Sequence, residues 1–407
     1  MDKIRLLWLS PIAAYDEIGH AGGKTFNFYL KQFARDAAFD VMAIVYAKAQ
    51  DAKKIDYNNY GIKYIHIVSK GNLFLNVCRI CIDLYGMFFH GISHCSFYKR
   101  IRLCHELKKM KTQGYEPDAV ILEWTEFAVL ASEIKKLFSH AKIVASEHDV
   151  SFVGMDRKVQ YEGNSITRQL KAVKASYFKR EELAALRICD LVVPHSGADV
   201  ERLEQCHIPK QKQFVLKPYF QRMGDMQWRG NKNQILFFGA MNRHENYDSV
   251  FWFLKNVFPY VSRNDIEFVV LGGSPPKELK ALQSERVHIL GFVDDITPYF
   301  TESKCFVAPL VLGAGIKVKI LEAMSAGMPV ITNNIGIEGI GAISGEDYMH
   351  ADTADEYVRM IDAVFSGSID LYQIGSNAKE YIHQNFDVNR SYHDYKKRLY
   401  DMIEYIK

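Results

Sequence analysis

The chain has 407 residues, of which 48% are hydrophobic and 24% are charged, a composition typical of water-soluble globular proteins. Its 51 basic and 48 acidic residues leave a net charge of +3, which argues against nucleic-acid binding through bulk electrostatics. The length favours two domains over one, because single hydrophobic cores stop growing beyond about 250–300 residues.

The N-terminal segment MDKIRLLWLS is predicted to form a buried first strand. Its second residue is acidic, and its apolar run is shorter than that of an export signal. The seven cysteines are odd in number and lie mostly in apolar segments, as is typical of reduced thiols. Cys78 and Cys81 form a CxxC without a second pair, so we predict no metal or redox site there. Together these features predict a cytoplasmic protein.

Residues 73–111 combine an apolar segment with aromatic side chains and a basic end. Arg79 and Asp83 interrupt the apolar run, which argues against a membrane-spanning helix. Aromatic residues followed by lysines and arginines are typical of helices that lie at a membrane surface. We therefore predict peripheral contact with the inner face of the membrane; the alternative is a helical hairpin packed on its own domain.

Short apolar or β-branched runs alternate with helix-length amphipathic segments, which predicts parallel α/β units. The candidate strands are IRLLWLS, DVMAIVYA, KYIHIV, DAVILEW, KIVASEH and DLVVPHS in the first half, and QILFFG, EFVVLG, VHILG, CFVAPL and PVITN in the second. Because the pattern starts over, we predict two doubly wound Rossmann-like domains that face a cleft.

The segment 218–232 is polar, contains one proline and two glycines, and shows neither the helical nor the strand spacing of apolar residues. It is therefore predicted to be the linker between the domains. The first domain is then predicted to cover residues 1–217 and the second to cover residues 233–385. Residues 386–407 carry apolar or aromatic side chains at helical spacing. They are predicted to form a C-terminal helix that docks on the rest of the protein.

The stretch GAGIKVKILEAMSAGMPVITNNIGIEGI follows the predicted strand CFVAPL. Gly313 and Gly315 fit a strand-to-helix turn whose backbone can approach a ligand closely, because no Cβ stands in the way. We expect a helix to begin near Ile316, where free backbone N–H groups favour a phosphate. Lys317 and Lys319 would add full positive charges beside that phosphate.

Glu322 lies inside this helix, too far from its start to act as a cap. A carboxylate accepts hydrogen bonds, so vicinal hydroxyl groups are suitable partners, as for the acidic residue that binds ribose in dinucleotide folds. The alternative is a surface ion pair with Lys319, worth only about 0.3–0.5 kcal/mol. Gly327 and Pro329 are predicted to end the helix.

This stretch, together with ILFFGAMNRHENYDSVFWFLKNVFP and VHILGFVDDITPYFTESKCFVAPL, resembles the nucleotide-binding half of the retaining glycosyltransferases of family four, which have the GT-B fold. The specific resemblance covers about residues 234–345, and a looser one covers the whole chain. It implies a hexosyltransferase-like enzyme that moves a sugar from a nucleotide diphosphate sugar to a hydroxyl group, with retention at the anomeric carbon. It also implies that no metal ion or other cofactor is required.

By this resemblance, Glu322 binds the ribose hydroxyls of the donor. Gly315 and Ile316 lie in the turn before it. Gly336 and Glu338 belong to the turn NIGIEG, which the resemblance places near the diphosphate and the sugar.

Gly239 follows the strand ILFF and belongs to the donor site by the same resemblance. In the N-terminal half, Gly22 and Gly23 in HAGGKTFNFYLKQFA resemble the family's glycine loop over the donor diphosphate. His148 and Asp149 in ASEHDVSF resemble its His-Asp at the active-site floor. A histidine at a strand end is also compatible with a core residue whose hydrogen bonds are satisfied.

The sequence departs from the family's pattern at two places. Many members carry a second glutamate eight residues before the ribose glutamate, where this chain has Ala314. Many also carry an arginine and a lysine after the strand that corresponds to ILFFG, whereas this chain offers only Arg243. The cations at the diphosphate are therefore expected among Arg243, Lys317 and Lys319.

The DxD-like pair Asp294 and Asp295 is predicted to cap a helix and not to bind a cation. The expected acceptor is a glycan or a lipid-linked saccharide, as in polysaccharide biosynthesis. The alternatives are a nucleotide-sugar epimerase or phosphorylase on the same scaffold and a non-catalytic sugar-binding protein. An NAD-dependent oxidoreductase is disfavoured, because neither half has GxGxxG after a strand with an acidic residue about 20 positions on.

Overall fold

The computed structural model describes residues 3–55, 62–68 and 73–404. The chain divides into two compact units. The first unit contains Met1–Tyr219 and Val388–Lys407, and the second contains Phe220–Asp387. The C-terminal segment therefore belongs to the fold that the N-terminus begins.

The first unit is built on a six-stranded parallel sheet with the order β3-β2-β1-β4-β5-β6. Its strands are β1 (Ile4–Ser10), β2 (Phe39–Ala47), β3 (Lys63–Val68), β4 (Ala119–Glu123), β5 (Lys142–Glu147) and β6 (Leu191–Pro194). Alternate side chains enter two different cores, because successive residues of a strand point to opposite faces. Leu7 and Leu9 pack in one core, whereas Leu6 and Trp8 pack in the other. Helices therefore cover both faces of this sheet, as parallel sheets require.

The second unit is built on another six-stranded parallel sheet, with the order β12-β11-β10-β7-β8-β9. Its strands are β7 (Lys232–Phe238), β8 (Glu267–Leu271), β9 (Val287–Gly291), β10 (Ser303–Ala308), β11 (Val330–Thr332) and β12 (Met349–His350). When the strands of each unit are numbered from one in chain order, both sheets have the strand order 3-2-1-4-5-6. In sheets of this order, ligands bind beyond the carboxyl ends of the strands, near the point where the winding reverses.

Helices connect and follow these strands, and those that cover the sheets carry an apolar face toward them. They are α1 (Ala21–Arg35), α2 (Ala49–Ala52), α3 (Leu73–His90), α4 (Phe97–Thr112), α5 (Trp124–Ala128), α6 (Ala131–Leu137), α7 (Ser151–Tyr161), α8 (Ser165–Ile188), α9 (Gly197–Gln205), α10 (His244–Asn256), α11 (Lys277–Lys280), α12 (Thr297–Glu302), α13 (Val318–Ser325), α14 (Asn334–Ile337), α15 (Ala354–Ser366), α16 (Leu371–Asn385) and α17 (Val388–Glu404).

The C-terminal helix α17 packs on α1 within the first unit. Its buried face consists of Tyr392, Tyr395, Leu399 and Ile403. The ring centroids of Tyr392 and Tyr395 lie 5.0 and 5.5 Å from that of Phe33 on α1. Aromatic contacts at these distances add to the apolar area that the helix buries. The predicted terminal helix is therefore part of the core of the first unit.

The predicted fold class, two α/β units with parallel, doubly wound sheets, is confirmed. All eleven predicted strands are present. The structure adds β12, whose two residues are too few to show the apolar pattern that predicts a strand. Within the described residues, no helix is long and apolar enough to cross a membrane.

The predicted end of α13 is confirmed, whereas its start differs by two residues. Gly327 has φ 76°, the left-handed conformation that favours glycine after a helix. The helix begins at Val318 and not near Ile316, because Lys317 has non-helical angles, φ −91° and ψ 92°. Asp295 Oδ1 accepts the N–H of Thr297, the first residue of α12, at 2.9 Å, but the N-cap position itself is Ile296, which makes no side-chain cap hydrogen bond.

Candidate active site

In the first unit, the first turn of α1 approaches two rings that follow the strands β4 and β5. A Cβ at Gly22 would lie 3.0 Å from Trp124 Cζ2 and 3.3 Å from His148 Nδ1. The missing side chain of Gly22 therefore leaves room for this close approach. The N–H of the next residue, Gly23, donates to His20 Nδ1 at 3.0 Å, so His20 caps α1.

His148 lies directly after β5 and is held through one ring nitrogen by a buried carboxylate. Its Nε2 is 2.7 Å from Glu123 Oε2, and Glu123 is only 2% exposed. The other carboxylate oxygen, Oε1, accepts a hydrogen bond from Trp8 Nε1 at 2.6 Å. Glu123 stands at the end of β4 and Trp8 on β1. One carboxylate thus ties the ends of β1, β4 and β5 together.

His195, which follows β6, holds the other ring nitrogen of His148. The Nδ1 of His195 is 2.6 Å from the carbonyl oxygen of Leu216, which can only accept, so Nδ1 carries a hydrogen. Burial, with the neighbouring His148 as a second cause, lowers the pKa of His195 to about 3, so its ring is neutral. Its Nε2 is then an acceptor and lies 3.2 Å from His148 Nδ1. Both ring nitrogens of His148 are therefore engaged inside the first unit.

Trp124 adopts a backbone conformation that is rare for a bulky residue. It has φ 62°, in the left-handed region, immediately after β4. Its ring stacks on that of His148, with centroids 4.0 Å apart and planes inclined by 21°. Such conformations persist where the surrounding structure enforces them, and they cluster at functional sites. Trp124 therefore marks this end of the sheet as a candidate site.

Glu147, the last residue of β5, is a buried acid beside this network. Its Oε2 accepts a hydrogen bond from Thr125 Oγ1 at 2.6 Å, whereas no described residue bonds to its Oε1. Burial, reinforced by the charges of Asp149 and Glu123, raises the pKa of Glu147 to about 8. Burial therefore favours the neutral form of Glu147. Asp149, two residues further along the chain, is exposed to solvent, whereas Glu147 is buried.

In the second unit, the loop between β10 and α13 turns through two glycines in the left-handed region. Gly313 has φ 132° and Gly315 has φ 66°. Lys317 Nζ donates to the carbonyl oxygen of Gly315 and lies 3.6 Å from Glu338 Oε2. The exposed fractions of these two side chains are 9% and 5%. The ammonium group of Lys317 is therefore paired with a buried carboxylate, a contact that the sequence did not predict.

Lys319 lies against the loop after β7, where its Nζ donates to Asn246 Oδ1. A Cβ at Gly239 would stand 3.0 Å from both Lys319 Nζ and Asn246 Nδ2, so glycine leaves room for the ammonium group. Burial, together with the positive charges of Arg243 and Lys317, lowers the pKa of Lys319 to about 7. A bound anion would favour the charged form of Lys319.

Glu322 is buried on α13, with 6% of its surface exposed. Its charge favours the ammonium form of Lys319, one helical turn away. The alternative of an exposed surface pair with Lys319 does not fit this burial. Ile316 packs against the core of the second unit. Arg243 precedes α10, and its side chain is 59% exposed, with Nε 3.6 Å from Glu245 Oε2.

The turn after β11 is fixed by its own polar groups. The N–H of Gly336 donates to Asn333 Oδ1 at 3.0 Å, which caps α14. A Cβ at Gly336 would lie 1.9 Å from Thr332 Oγ1, so only glycine fits. This turn leads directly to Glu338, the partner of Lys317.

The structure gathers the predicted site residues into one group in each unit. The first group contains Gly22, Gly23, His148 and Asp149; the second contains Gly239, Arg243, Gly315, Ile316, Lys317, Lys319, Glu322, Gly336 and Glu338. Sequence reasoning missed Glu123, Trp124, His195 and Asn246. For the first three the available signal was a polar or aromatic residue at the end of a predicted strand, which does not identify its partner, whereas Asn246 lies on α10 and carried no such signal. Among the described residues, no three or more His, Cys, Asp or Glu side chains are grouped so that they could hold a metal ion.

Residues 232–366 match the family model described as glycosyl transferases group 1. The match lies within the second unit and covers about a third of the chain. A curated relative, an uncharacterized 44.6 kDa protein in the cps region of Klebsiella pneumoniae, is 25% identical over 164 residues. That alignment covers 38% of this chain and 42% of the relative, less than half of either protein.

Solved structures share the fold of the whole chain. HepE of Anabaena in complex with UDP has a TM-score of 0.62 at 16% identity, over 98% of this chain and 100% of that chain. Sucrose-phosphate synthase from Thermosynechococcus elongatus has a TM-score of 0.65 at 14% identity, over 100% of both chains. The lipopolysaccharide outer core galactosyltransferase WaaB has a TM-score of 0.65 at 14% identity, over 98% and 99%. These similarities confirm the predicted GT-B fold, and at such identities they show the fold alone.

Proposed function

We propose that this protein is a retaining glycosyltransferase of family four that moves a sugar from a nucleotide diphosphate sugar to a hydroxyl acceptor. One observation carries the proposal. Within the matched domain, a left-handed glycine turn, a lysine with a lowered pKa and the buried carboxylate Glu322 meet at the start of α13. Backbone N–H groups and cations suit a diphosphate, and a carboxylate suits ribose hydroxyls.

In the second unit, Glu322 accepts hydrogen bonds from the ribose hydroxyls of the donor in this proposal. Gly239, Arg243 and Lys319 face the diphosphate, where Lys319 regains its positive charge as the anion binds. The ion pair between Lys317 and Glu338 sets the position of the turn that carries Gly336.

In the first unit, His148 and Asp149 stand at the donor sugar, and Gly22 and Gly23 lie over the diphosphate at the start of α1. The partners Glu123 and His195 fix the His148 ring through both nitrogens, so its orientation is set before the donor binds. Preorganised groups of this kind stabilise developing charge without reorganisation during the reaction. The proposed reaction needs no metal ion.

Calorimetric titration with UDP, GDP, ADP and CDP tests the donor class. UDP is the first choice, because the similar HepE structure holds UDP. One nucleoside diphosphate should bind at least about tenfold more tightly than the others. Equal weak binding of all four nucleotides would contradict a dedicated donor site.

Product analysis separates glycosyl transfer from its alternatives. With the matching donor and a set of hydroxyl acceptors, NMR should show a new glycosidic bond of the same anomeric configuration as the donor. Free epimerised sugar would indicate an epimerase, and consumption of inorganic phosphate would indicate a phosphorylase. Tight nucleotide-sugar binding without turnover would indicate a non-catalytic sugar-binding protein.

His148→Ala should lower turnover far more than donor affinity, because the ring is proposed to face the sugar and not the nucleotide. Rates should be compared per folded molecule, since the variant also loses two hydrogen bonds inside the first unit. A variant that melts at a lower temperature but transfers sugar at the normal rate would remove His148 from the active site.

The proposed acceptor is a glycan or a lipid-linked saccharide in a polysaccharide pathway, and the proposed location is the cytoplasmic face of a membrane. A relative named for the cps region supports the pathway. Assays with water-soluble oligosaccharides and with lipid-linked oligosaccharides, at equal concentration, distinguish the two acceptor types. Transfer to neither type would contradict this part of the proposal.

A further inference from the structure

Helix α8 of the first unit leaves a row of large apolar side chains in solvent. Ile166, Leu170, Val173 and Tyr177 recur at spacings of three and four residues, so they lie on one face of the helix. Their exposed fractions are 70%, 68%, 72% and 41%. We call these four residues the α8 stripe. Contiguous exposed apolar surface of this kind marks an interaction site.

Helix α3 carries a second exposed apolar face next to the α8 stripe. On it Val77, Ile80, Leu84 and Phe88 are more than half exposed. The loop after α3 touches α8, since a Cβ at Gly91 would lie 2.4 Å from the hydroxyl oxygen of Tyr177. A cavity of about 520 Å³ between the two helices is lined by Met87 of α3 and by Tyr177 and Arg180 of α8, among others. The two apolar faces therefore belong to one region of the first unit.

Helix α8 also carries positive charge along the same segment. Residues 165–180 contain five basic and no acidic residues, among them Arg168, Lys171 and Lys174 between Ile166 and Tyr177, and Lys171 also pairs with Glu162. The first unit as a whole carries 37 basic and 27 acidic residues, whereas the second carries 14 and 21. The small net charge of the chain thus conceals a basic unit and an acidic unit.

Charge decides which partner fits this surface. A second copy of the chain, seated on the same stripe, would oppose five basic residues to five others, which disfavours association. A nucleic acid would match the charge but would leave the apolar side chains without a partner. An anionic bilayer meets both needs, because apolar side chains enter the headgroup boundary while lysine and arginine pair with lipid phosphates.

We propose that the first unit docks on an anionic lipid bilayer through the α8 stripe together with the exposed face of α3. This goes beyond the contact predicted for residues 73–111, because α8 lies outside that segment and supplies a second apolar face with its own cations. The inference does not rest on glycosyl transfer, since lipid binding is measured without a donor or an acceptor.

Vesicle flotation of the full-length protein tests the inference. Wild type should float with vesicles of phosphatidylcholine and phosphatidylglycerol at low salt, and should be released by high salt. The triple variant Ile166→Ser, Leu170→Ser and Val173→Ser should bind vesicles at least about tenfold more weakly than wild type, because it loses the side chains that enter the lipid. Its melting temperature should stay close to that of wild type, since the replaced side chains are exposed.

Phe292→Ser is the matched control, because Phe292 is an apolar residue of the second unit that is 78% exposed. It should bind vesicles as wild type does. The double variant Lys171→Glu and Lys174→Glu separates charge from apolar contact, and it should lose the preference for anionic over pure phosphatidylcholine vesicles.

Three results would overturn the inference. Wild type could fail to float with anionic vesicles at low salt, or the triple serine variant could float as well as wild type. Gel filtration could also show that wild type is a dimer and the triple variant a monomer, which would assign the stripe to self-association.

Discussion

The two sheets share one strand order, yet the polar groups at their carboxyl ends are built differently. In the first unit, Glu123, His148 and His195 come from three different strand ends and hold one another in fixed, buried hydrogen bonds. In the second unit, Lys319 and Glu322 come from one short helix, and burial has lowered the pKa of the lysine. The groups of the first network therefore satisfy one another, whereas a bound anion would favour the charged form of the lysine in the second.

Glu123→Ala should have the largest effect, a loss of about 3–5 kcal/mol in the free energy of unfolding. The substitution leaves Trp8 Nε1 without an acceptor and His148 without its carboxylate. Urea unfolding followed by tryptophan fluorescence measures the loss. The matched control is Asp40→Ala, whose carboxylate pairs with Lys63 Nζ at 2.9 Å, a lysine side chain that is 60% exposed.

The control should cost less than about 1 kcal/mol, as exposed ion pairs do. If both substitutions cost the same small amount, the first network does not hold the ends of the strands together, and the contrast between the units fails.

Glu322→Ala tests the second unit, where the expected loss is in donor binding. If the carboxylate accepts hydrogen bonds from both ribose hydroxyls, its removal should cost roughly 1.5–3 kcal/mol, about ten- to a hundred-fold in affinity. Glu322→Gln should lose less, since the amide keeps one acceptor. Calorimetric titration with the cognate nucleotide and its 2′-deoxy analogue measures both variants.

Wild type should prefer the ribonucleotide over the 2′-deoxy analogue, and the alanine variant should not. Equal discrimination by the two proteins would remove Glu322 from the ribose site and leave the recognition of the donor to other groups.

Lys319→Met sharpens the comparison through pH. The pKa of Lys319 is about 7 in the folded protein, below its ordinary value of 10.5. Between these pH values the unfolded chain holds a proton that the folded protein has released, so this lysine makes the folded state more stable as pH rises from 7 to 10.5. The free energy of unfolding of Lys319→Met should therefore exceed that of wild type near pH 7, by on the order of 1 kcal/mol. The difference should shrink toward pH 10.

The same lysine should take up a proton when the donor diphosphate binds. Titration at pH 8 in buffers of different ionisation enthalpy measures this uptake. Wild type should show it and Lys319→Met should not; identical proton uptake by both would place the anion away from Lys319.

Glu147→Gln should have the smallest effect and the opposite pH dependence. The pKa of Glu147 is about 8, above its ordinary value of 4.5, so between these values the folded protein holds a proton that the unfolded chain has released. Its contribution to stability falls as pH rises from 4.5 to 8. Glutamine keeps the shape and the Thr125 contact, so the variant should gain about 1 kcal/mol or less over wild type across this range. Melting temperatures at pH 5, 6.5 and 8 test this; a constant difference would contradict it.

Much of the architecture could be predicted because it is encoded locally. Eleven strands followed from short apolar or β-branched runs, and the end of α13 followed from Gly327. The stretch from Gly313 to Ile340 also placed a glycine turn, two lysines and a carboxylate on one turn and helix, because helical spacing alone brings them together. The match of residues 232–366 to the glycosyl transferases group 1 model confirms the coarser part of the resemblance that this stretch carried, whereas family four and retention stay predictions.

Other parts of the site depend on contacts between distant segments. Glu123 and His195 looked like ordinary strand-end residues, and only the order β1-β4-β5-β6 brings them beside Trp8 and His148. The left-handed backbone of Trp124 is likewise imposed by its surroundings, since nothing in a tryptophan favours it.

The sequence by itself determined the doubly wound sheets and the local chemistry of α13, because hydrophobic periodicity, helix capping and glycine turns each depend on only a few neighbouring residues. The tertiary structure decided that α17 completes the core of the first unit, that Lys317 pairs with Glu338, and that Lys319 has a pKa near 7. These outcomes depend on burial and on the charges that neighbouring segments bring. Burial and long-range neighbours are set by how the strands are ordered, and no short stretch of sequence contains that order.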